Sequence, residues 1–158
     1  MTQRGLSHLD ESGHARMVDV SAKDVTAREA RASGRVLLSE AAIAALRSGR
    51  VPKGDALAVA RIAGIQGATR TPDLVPLCHP IAIHSVTVDL SVGDDAVLIE
   101  ATVRTADRTG VEMEALTSVT VAALALIDMV KAIDPAAVIS DVRVEEKTGG
   151  KTGPWRRP

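Results

Sequence analysis

One long apolar stretch dominates the hydrophobic pattern, GVEMEALTSVTVAALALIDMVKA over 110–132. Its interior is apolar at nearly every position, and a helix that is hydrophobic on all faces is predicted to be buried. Ionisable residues stand toward its ends, with Glu112 and Glu114 at the start and Asp128 and Lys131 at the finish. At about 1.5 Å per residue, Glu114 and Asp128 are about 21 Å apart along the axis. The two ends therefore cannot line one small pocket unless another element or another chain folds around them.

Alternating polar and apolar residues predict two strands, over 83–92 and 96–104, and Gly93-Asp94-Asp95 predicts the hairpin turn between them. Ser39 and Asp55 are suited to cap the helices that follow them. The other predicted elements are an extended segment over 17–20, a strand over 35–38 that 27–34 extends, a helix over 40–48, a helix over 55–70 that Thr71-Pro72 ends, and a strand over 137–145.

The predicted order from the first long strand is β-α-α-β-β-α-β. Two crossover helices around a hairpin are typical of a ferredoxin-like, split βαβ fold, so the fold class is α+β with an antiparallel sheet and packed helices. In the second helix Ala60, Gly64 and Ala68 recur at every fourth position. This nearly bare face would allow another backbone to approach closely.

A chain of 158 residues is sufficient for one domain with a substantial core. We expect residues 1–16 to be a flexible tail and 17–158 a single domain, which ends in a Gly-rich basic segment over 147–158. Lysine and arginine number 19 against 20 aspartate and glutamate, and the only aromatic residue is Trp155. This composition argues against nucleic-acid and membrane-surface binding, which use basic patches or aromatic platforms.

The single cysteine, Cys78, excludes a disulfide within the chain and fits a reducing compartment. The N-terminus has no apolar signal segment, so we expect a cytoplasmic protein. Cys78 and His79 lie in TPDLVPLCHP, a non-periodic stretch over 71–80. A zinc pair is weakly indicated because further ligands are missing, and Cys78 is a weak candidate nucleophile because neighbouring residues of an extended loop point to opposite sides. The sequence by itself favours ordinary explanations: a structural turn for the prolines, a small core position for Cys78 and a hydrogen bond at the entry to a strand for His79.

Basic residues stand at three other candidate positions. Lys53 precedes a predicted helix start, where an anion is favoured, although a loop lysine is usually a solvated charge. Lys147 and Lys151 flank glycines that would let a ligand approach the backbone, unless this stretch is a disordered tail. Asp128 and Lys131 stand three residues apart on a helix. Either they form an ordinary helix ion pair, or Lys131 is buried and has an altered pKa, with Asp128 as its partner.

These segments together resemble the MoaC family, the cyclic pyranopterin monophosphate synthases of molybdenum cofactor biosynthesis. The matching stretches are MVDVSAK (17–23), KGDALAVARIAGIQGAT (53–69), DLVPLCHP (73–80), TGVEMEALT (109–117), DMVKA (128–132) and KTGGKTG (147–153).

The resemblance implies conversion of 3′,8-cyclo-7,8-dihydro-GTP to cyclic pyranopterin monophosphate and pyrophosphate by acid–base chemistry, with no redox cofactor and no protein-held metal. Whether a divalent cation accompanies the triphosphate is left open. The resemblance also implies a homo-hexamer, a trimer of dimers, with active sites between subunits. The alternative is a non-catalytic oligomeric paralogue that binds a nucleotide or pterin.

Carried over by motif, Lys53 and Lys131 resemble the proton-transfer lysines, and Asp128 the residue that positions or tunes Lys131. Leu77, Cys78, His79, Met113 and Glu114 resemble substrate-binding residues, with Glu112 beside them. Since a triphosphate carries about four negative charges that cations must meet, we add Lys23, Arg28, Lys147 and Lys151 as triphosphate contacts.

Overall fold

The computed structural model describes residues 7–158, so the first six residues of the predicted tail lie outside the described part. Its elements in chain order are β1 (Thr26–Leu37), α1 (Glu40–Ser48), α2 (Ala56–Thr69), α3 (Thr71–Leu74), β2 (Ser85–Val92), β3 (Ala96–Asp107), α4 (Glu112–Val130), β4 (Val138–Thr148) and β5 (Trp155–Arg156). The strands form one sheet in the order β2-β3-β1-β4-β5, and every neighbouring pair is antiparallel. This arrangement confirms the predicted α+β, ferredoxin-like fold.

Strand β1 lies at the centre of the sheet and alternates strictly between its two faces. Ala30, Ala32 and Val36 are buried on the face that α4 covers. Arg31 and Arg35 point to the other side, the open face of the sheet, which no helix covers among the described residues. The open face carries several ion pairs, whereas the helix-covered face packs into the hydrophobic core.

Helices α2 and α4 pack against each other through residues without large side chains. A Cβ atom on Gly64 would lie 3.1 Å from Ala122 Cβ, and one on Gly67 would lie 2.9 Å from Val121 Cβ. The bare face predicted for α2 therefore does meet another helix. The predicted caps are also confirmed, since Ser39 and Asp55 accept hydrogen bonds from the backbone N–H groups three residues later.

Helix α4 is the central buried element that its sequence predicts. It is apolar and long enough to pass as a membrane-spanning helix by length and composition, but 56% of its most apolar window is buried inside the protein. It ends at Val130 rather than at 132. This burial identifies it as the core helix of a globular fold.

Two local predictions need correction. Pro72 does not begin a loop but stands in the first turn of α3, where its missing N–H costs no helical hydrogen bond. Residues 17–20 pair with no strand, so the extended segment predicted there stays a prediction, and Ser21 N–H bonds the Asp19 side chain. The C-terminal segment is not a disordered tail, because beyond Thr148 the chain turns back and its strand β5 pairs with β4. Between 7 and 16, a bridge joins Leu9 to Ala15.

We expect Gly67→Val to destabilise the fold because its side chain would overlap Val121 of α4. Overpacking of this kind costs about 1–3 kcal/mol. Urea unfolding measures the loss, with Gln66→Ala at the exposed neighbouring position as the matched control, expected to change the free energy of unfolding by less than about 0.5 kcal/mol. Equal stability of the two variants would contradict the close packing of α2 on α4.

Candidate functional site

The predicted site residues form two clusters at opposite ends of α4. The lysine cluster, at the C-terminal end, consists of Lys53, Asp128 and Lys131. The cavity cluster, at the N-terminal end, contains all the predicted substrate-binding residues, which line two adjoining cavities. One protomer therefore brings the residues together within each cluster but keeps the clusters apart.

The lysine cluster is built around the Asp128 carboxylate in the last turn of α4. Lys131 Nζ, just after the helix, lies 2.7 Å from Asp128 Oδ1, and Lys53 Nζ lies 3.2 Å from Oδ2. The hydrogen bond from Lys131 is the largest cause that lowers the pKa of Asp128, and the hydrogen bond from Lys53 adds to it. The carboxylate thus holds two ammonium groups side by side.

These three side chains are accessible in the protomer. The Lys131 side chain is 57% exposed and that of Asp128 is 56% exposed. The interpretation of Lys131 as a buried lysine is therefore wrong for the single chain, because α4 ends where the surface begins. The cluster is nevertheless more than an ordinary i,i+3 surface ion pair, because Asp128 also bonds Lys53, which comes from a loop distant in sequence.

The smaller cavity of the cavity cluster has a volume of about 330 Å³. Leu77, Cys78 and His79 line it from the loop after α3, and Met113 and Glu114 line it from the start of α4. Cys78 and His79, adjacent in a segment with no regular strand, both line this cavity. A His79 ring nitrogen bonds the Val18 carbonyl, which fixes the imidazole at the cavity wall.

The larger cavity, of about 460 Å³, is basic. Four basic residues, Lys23, Arg28, Lys147 and Lys151, line it with the acids Asp24 and Glu29, and Glu112 lines both cavities. Lys147 Nζ lies 3.1 Å from Glu112 Oε1, and Arg28 Nε donates to the Asp107 carbonyl. The cavity can accept an anion that competes with Glu112 for Lys147.

Glycine is required where this basic cavity meets β1. Gly149 has a φ of 87°, and a Cβ atom there would overlap the Ala27 carbonyl oxygen. Gly150 has a φ of 79°, and its Cβ would lie 2.5 Å from Arg28 Nη1. These glycines bring the backbone of the basic segment close to β1 and leave room for the Arg28 guanidinium.

Glu114 is the buried ionisable group of the cavity cluster, with 3% of its surface exposed. Its pKa is raised to about 7, mainly by burial and to a smaller extent by the charge of the neighbouring Glu112, while a backbone hydrogen bond opposes the rise. Glu114 can therefore hold or release a proton near neutral pH, as a general acid or base must.

Cys78 is poorly suited to be a nucleophile. Burial raises the pKa of its thiol, and the charges of Glu114 and Glu112 raise it further. A thiol that stays protonated is a weak nucleophile. Among the described residues no group of three or more His, Cys, Asp or Glu side chains is placed to hold a metal ion, so a zinc site gains no support.

A sequence model of the MoaC family matches residues 17–150 of the chain. The match covers the lysine cluster, the smaller cavity except Ser7 and His8, and the larger cavity except Lys151 and Thr152. The chain belongs to the MoaC family.

Curated MoaC relatives are similar along nearly the whole chain. A protein of Streptomyces avermitilis is 71% identical over 155 residues, which cover 98% of this chain and 91% of the relative. A protein of Nocardioides is 66% identical over 158 residues, with 98% and 97% covered. Both are named cyclic pyranopterin monophosphate synthase. A Mycobacterium tuberculosis relative named cyclic pyranopterin monophosphate synthase 2 is 56% identical over 152 residues, with 96% and 91% covered.

Several cavity residues were not predicted as site residues. Val18 and Val20 line the smaller cavity, and Thr109 and Gly110 line both. The signal was present, because these residues stand in the stretches MVDVSAK and TGVEMEALT that carry the family resemblance. Their backbones and small side chains shape the cavity and carry no ionisable group, so chemistry alone did not select them.

We expect Glu114 to make stability fall as pH rises from about 4.5 to 7. Its folded pKa lies above its unfolded value of 4.5, so in this window the folded state retains a proton that the unfolded state releases. A shift from 4.5 to about 7 corresponds to about 3 kcal/mol. Glu114→Gln remains neutral, so its stability relative to the parent should increase by up to about 3 kcal/mol between pH 4.5 and 8.

Urea unfolding at a series of pH values measures this difference. Asp89→Asn, which removes an exposed carboxyl on β2, is the control and should stay within about 0.5 kcal/mol of the parent at every pH. A pH-independent difference between Glu114→Gln and the parent would show that Glu114 is not protonated in the folded protein.

Proposed function

We propose that this protein is a cyclic pyranopterin monophosphate synthase, which converts 3′,8-cyclo-7,8-dihydro-GTP to cyclic pyranopterin monophosphate and pyrophosphate in molybdenum cofactor biosynthesis. The observation that carries the proposal is the pairing of a basic cavity with a smaller cavity that contains a buried acid. The curated names of its MoaC relatives support the same activity. The enzyme is a lyase.

The larger cavity is proposed to bind the triphosphate. Its four cationic side chains outnumber the three carboxylates of Asp24, Glu29 and Glu112 and can donate to phosphate oxygens, whose charges are stabilised in a partly buried site when cations donate to them. Of the four, Lys147 is the best placed to contact a phosphate group, because its ammonium group already contacts the Glu112 carboxylate in this cavity. The smaller cavity would then receive the purine-derived ring, with Leu77 and Met113 against its faces and His79 and Glu114 at its polar edge.

The lysine cluster is proposed to carry the proton transfers. Rearrangement of the ring requires protons to be removed and delivered, and closure of the cyclic phosphate requires a hydroxyl to lose its proton as pyrophosphate leaves. Lys53 and Lys131 lie close enough to serve one reacting centre, and Asp128 orients both through its two oxygens. Asp128 is a positioning residue in this scheme, and the lysines are the general acid and base.

Since the two clusters lie at opposite ends of α4, we propose that each active site combines the lysine cluster of one chain with the cavity cluster of another. The outer surfaces of α2 and α4 carry apolar side chains that are unusually exposed for a single chain, with Ile62 57% and Leu124 61% exposed. Val59 and Ile65 extend this surface along α2. Apolar surface of this kind is typical of protein interfaces, which supports association of copies of this chain. The assembly that we propose is a homo-hexamer built as a trimer of dimers.

We propose a cytoplasmic enzyme that needs no redox cofactor. Its acid–base residues suffice for the reaction as written, and its single cysteine requires no oxidising compartment. A divalent ion that entered with the triphosphate would bind mainly phosphate oxygens and water. The absence of a cofactor stays a prediction.

Turnover of 3′,8-cyclo-7,8-dihydro-GTP, followed through both pyrophosphate and the pterin product, tests the function. We expect Lys53→Ala and Lys131→Ala to lose at least about two orders of magnitude in kcat, since general acid–base groups contribute about 10²–10⁴-fold. Arg50→Ala, which removes an exposed cation close to Lys53 in sequence, should retain the parent rate. A folded parent that binds the substrate without turnover would identify a non-catalytic paralogue instead.

Mixing experiments test the shared site. Lys131→Ala disables the lysine cluster and His79→Ala the cavity cluster, so each homo-oligomer should be inactive. If the sites lie between chains, oligomers reassembled from both variants contain some sites with neither mutation, and up to about a quarter of the parent activity should return. Mixed oligomers that stay inactive, while parent subunits treated identically recover activity, would place each whole site within one chain.

A further inference from the structure

Strand β4 is irregular where it approaches the basic cavity. Along β1, Arg31 pairs with Glu146 and the next residue, Ala32, pairs with Val144. Glu145 is therefore an extra residue on β4, and the pair of strands contains a β-bulge at this point. Bulges change the direction of the side chains that follow them.

The bulge decides which face of the sheet Lys147 occupies. Val144 faces the helices, and regular alternation from it would turn Glu146 toward the helices and Lys147 toward the open face. Because one residue is extra, Lys147 instead pairs with the buried Ala30 on the helix-covered face. Only from that face does its ammonium group contact Glu112 in the basic cavity.

The competing register would reverse the charge of this part of the cavity. It would place the Glu146 carboxylate beside the start of α4, where Glu112 and Glu114 already stand. It would also place Lys147 on the open face and away from the cavity. A one-residue change in pairing would therefore replace the lysine that β4 contributes to this cavity with a glutamate.

The Glu145 side chain fixes the observed register. Ser33 Oγ donates to Glu145 Oε1 over 2.5 Å, and Arg143 Nε donates to the same oxygen over 2.8 Å. The side chain is 17% exposed. The Glu145 carbonyl accepts a hydrogen bond from Arg157 N–H, so the segment after β5 also holds the bulge.

We propose that Glu145 is a positioning residue for the anion-binding half of the active site: its carboxylate, held by Ser33 and Arg143, fixes the bulge that places Lys147 in the basic cavity. This inference rests on the proposed function only in assigning that cavity to the triphosphate. Glu145 itself lies on the open face and does not contact the ligand.

Binding of inorganic tripolyphosphate, measured by calorimetry at fixed salt, tests the inference without turnover. Lys147→Ala should weaken binding by about tenfold or more, the effect expected for loss of a charged hydrogen bond. Glu145→Ala should weaken binding to a similar extent in the parent but have no further effect in Lys147→Ala, because both act through one side chain. Glu145→Gln retains an acceptor oxygen and should bind within about threefold of the parent.

Asp89→Asn is the matched control, because it removes an exposed carboxylate from the open face on β2, which β3 and β1 separate from β4. It should bind like the parent. If Glu145→Ala does not fold, Ser33→Ala removes one of the two side-chain bonds and should weaken binding in the same direction.

Three results would overturn the proposal: unchanged binding in a folded Glu145→Ala, an equal loss in the Lys147→Ala background, or tripolyphosphate binding that does not depend on Lys147. The turnover assay separates this failure from failure of the proposed function. An enzyme that forms the pterin product while Glu145→Ala binds tripolyphosphate normally would retain its function and lose only the positioning role of Glu145.

Discussion

The burial of α4 is the constraint on which the rest of the structure depends. Its middle packs against the sheet and against the glycines of α2, where there is no room for a charged or hydrated side chain. On the buried faces of this helix a charge would be costly without a partner, and the ionisable groups that α4 carries stand near its ends. The chemistry of the protein is therefore divided between two places about 21 Å apart.

At each end, acidic side chains of α4 organise cations that come from other elements. Asp128 holds Lys131 from the helix terminus and Lys53 from the loop before α2. Glu112 holds Lys147 from β4. An anionic substrate then meets ammonium groups that are already ordered, which reduces the entropy lost when the ligand binds. The two ends differ in burial, because Glu114 alone is enclosed by protein and has a strongly raised pKa.

The proposed site between chains follows from the same geometry. The exposed lysine cluster and the open cavity lie at opposite ends of α4, so in this proposal each end of the helix supplies half of an active site. Exposed apolar residues on α2 and α4 provide a surface through which copies could bring unlike ends together. Oligomerisation would also bury the lysine cluster, and this would strengthen its interactions with a charged intermediate.

Local sequence determined most of the elements and the composition of the site. The alternation in β2 and β3, the caps at Ser39 and Asp55 and the apolar run of α4 each depend on interactions within a few residues, so their patterns predict them directly. The family motifs also identified the residues that line the cavities, because those residues stand in short contiguous stretches. The sequence missed α3 because proline ends one helix and begins another with the same geometry.

Tertiary structure alone decided how these groups are placed. The raised pKa of Glu114 depends on burial by other elements, and neither the joining of Lys53 to Asp128 nor the exposure of Lys131 can be inferred from local pattern. The face occupied by Lys147 depends on one extra residue in the pairing of β4 with β1. Residue types and local periodicity are properties of the chain itself, whereas burial, long-range contacts and register exist only once distant segments have packed together.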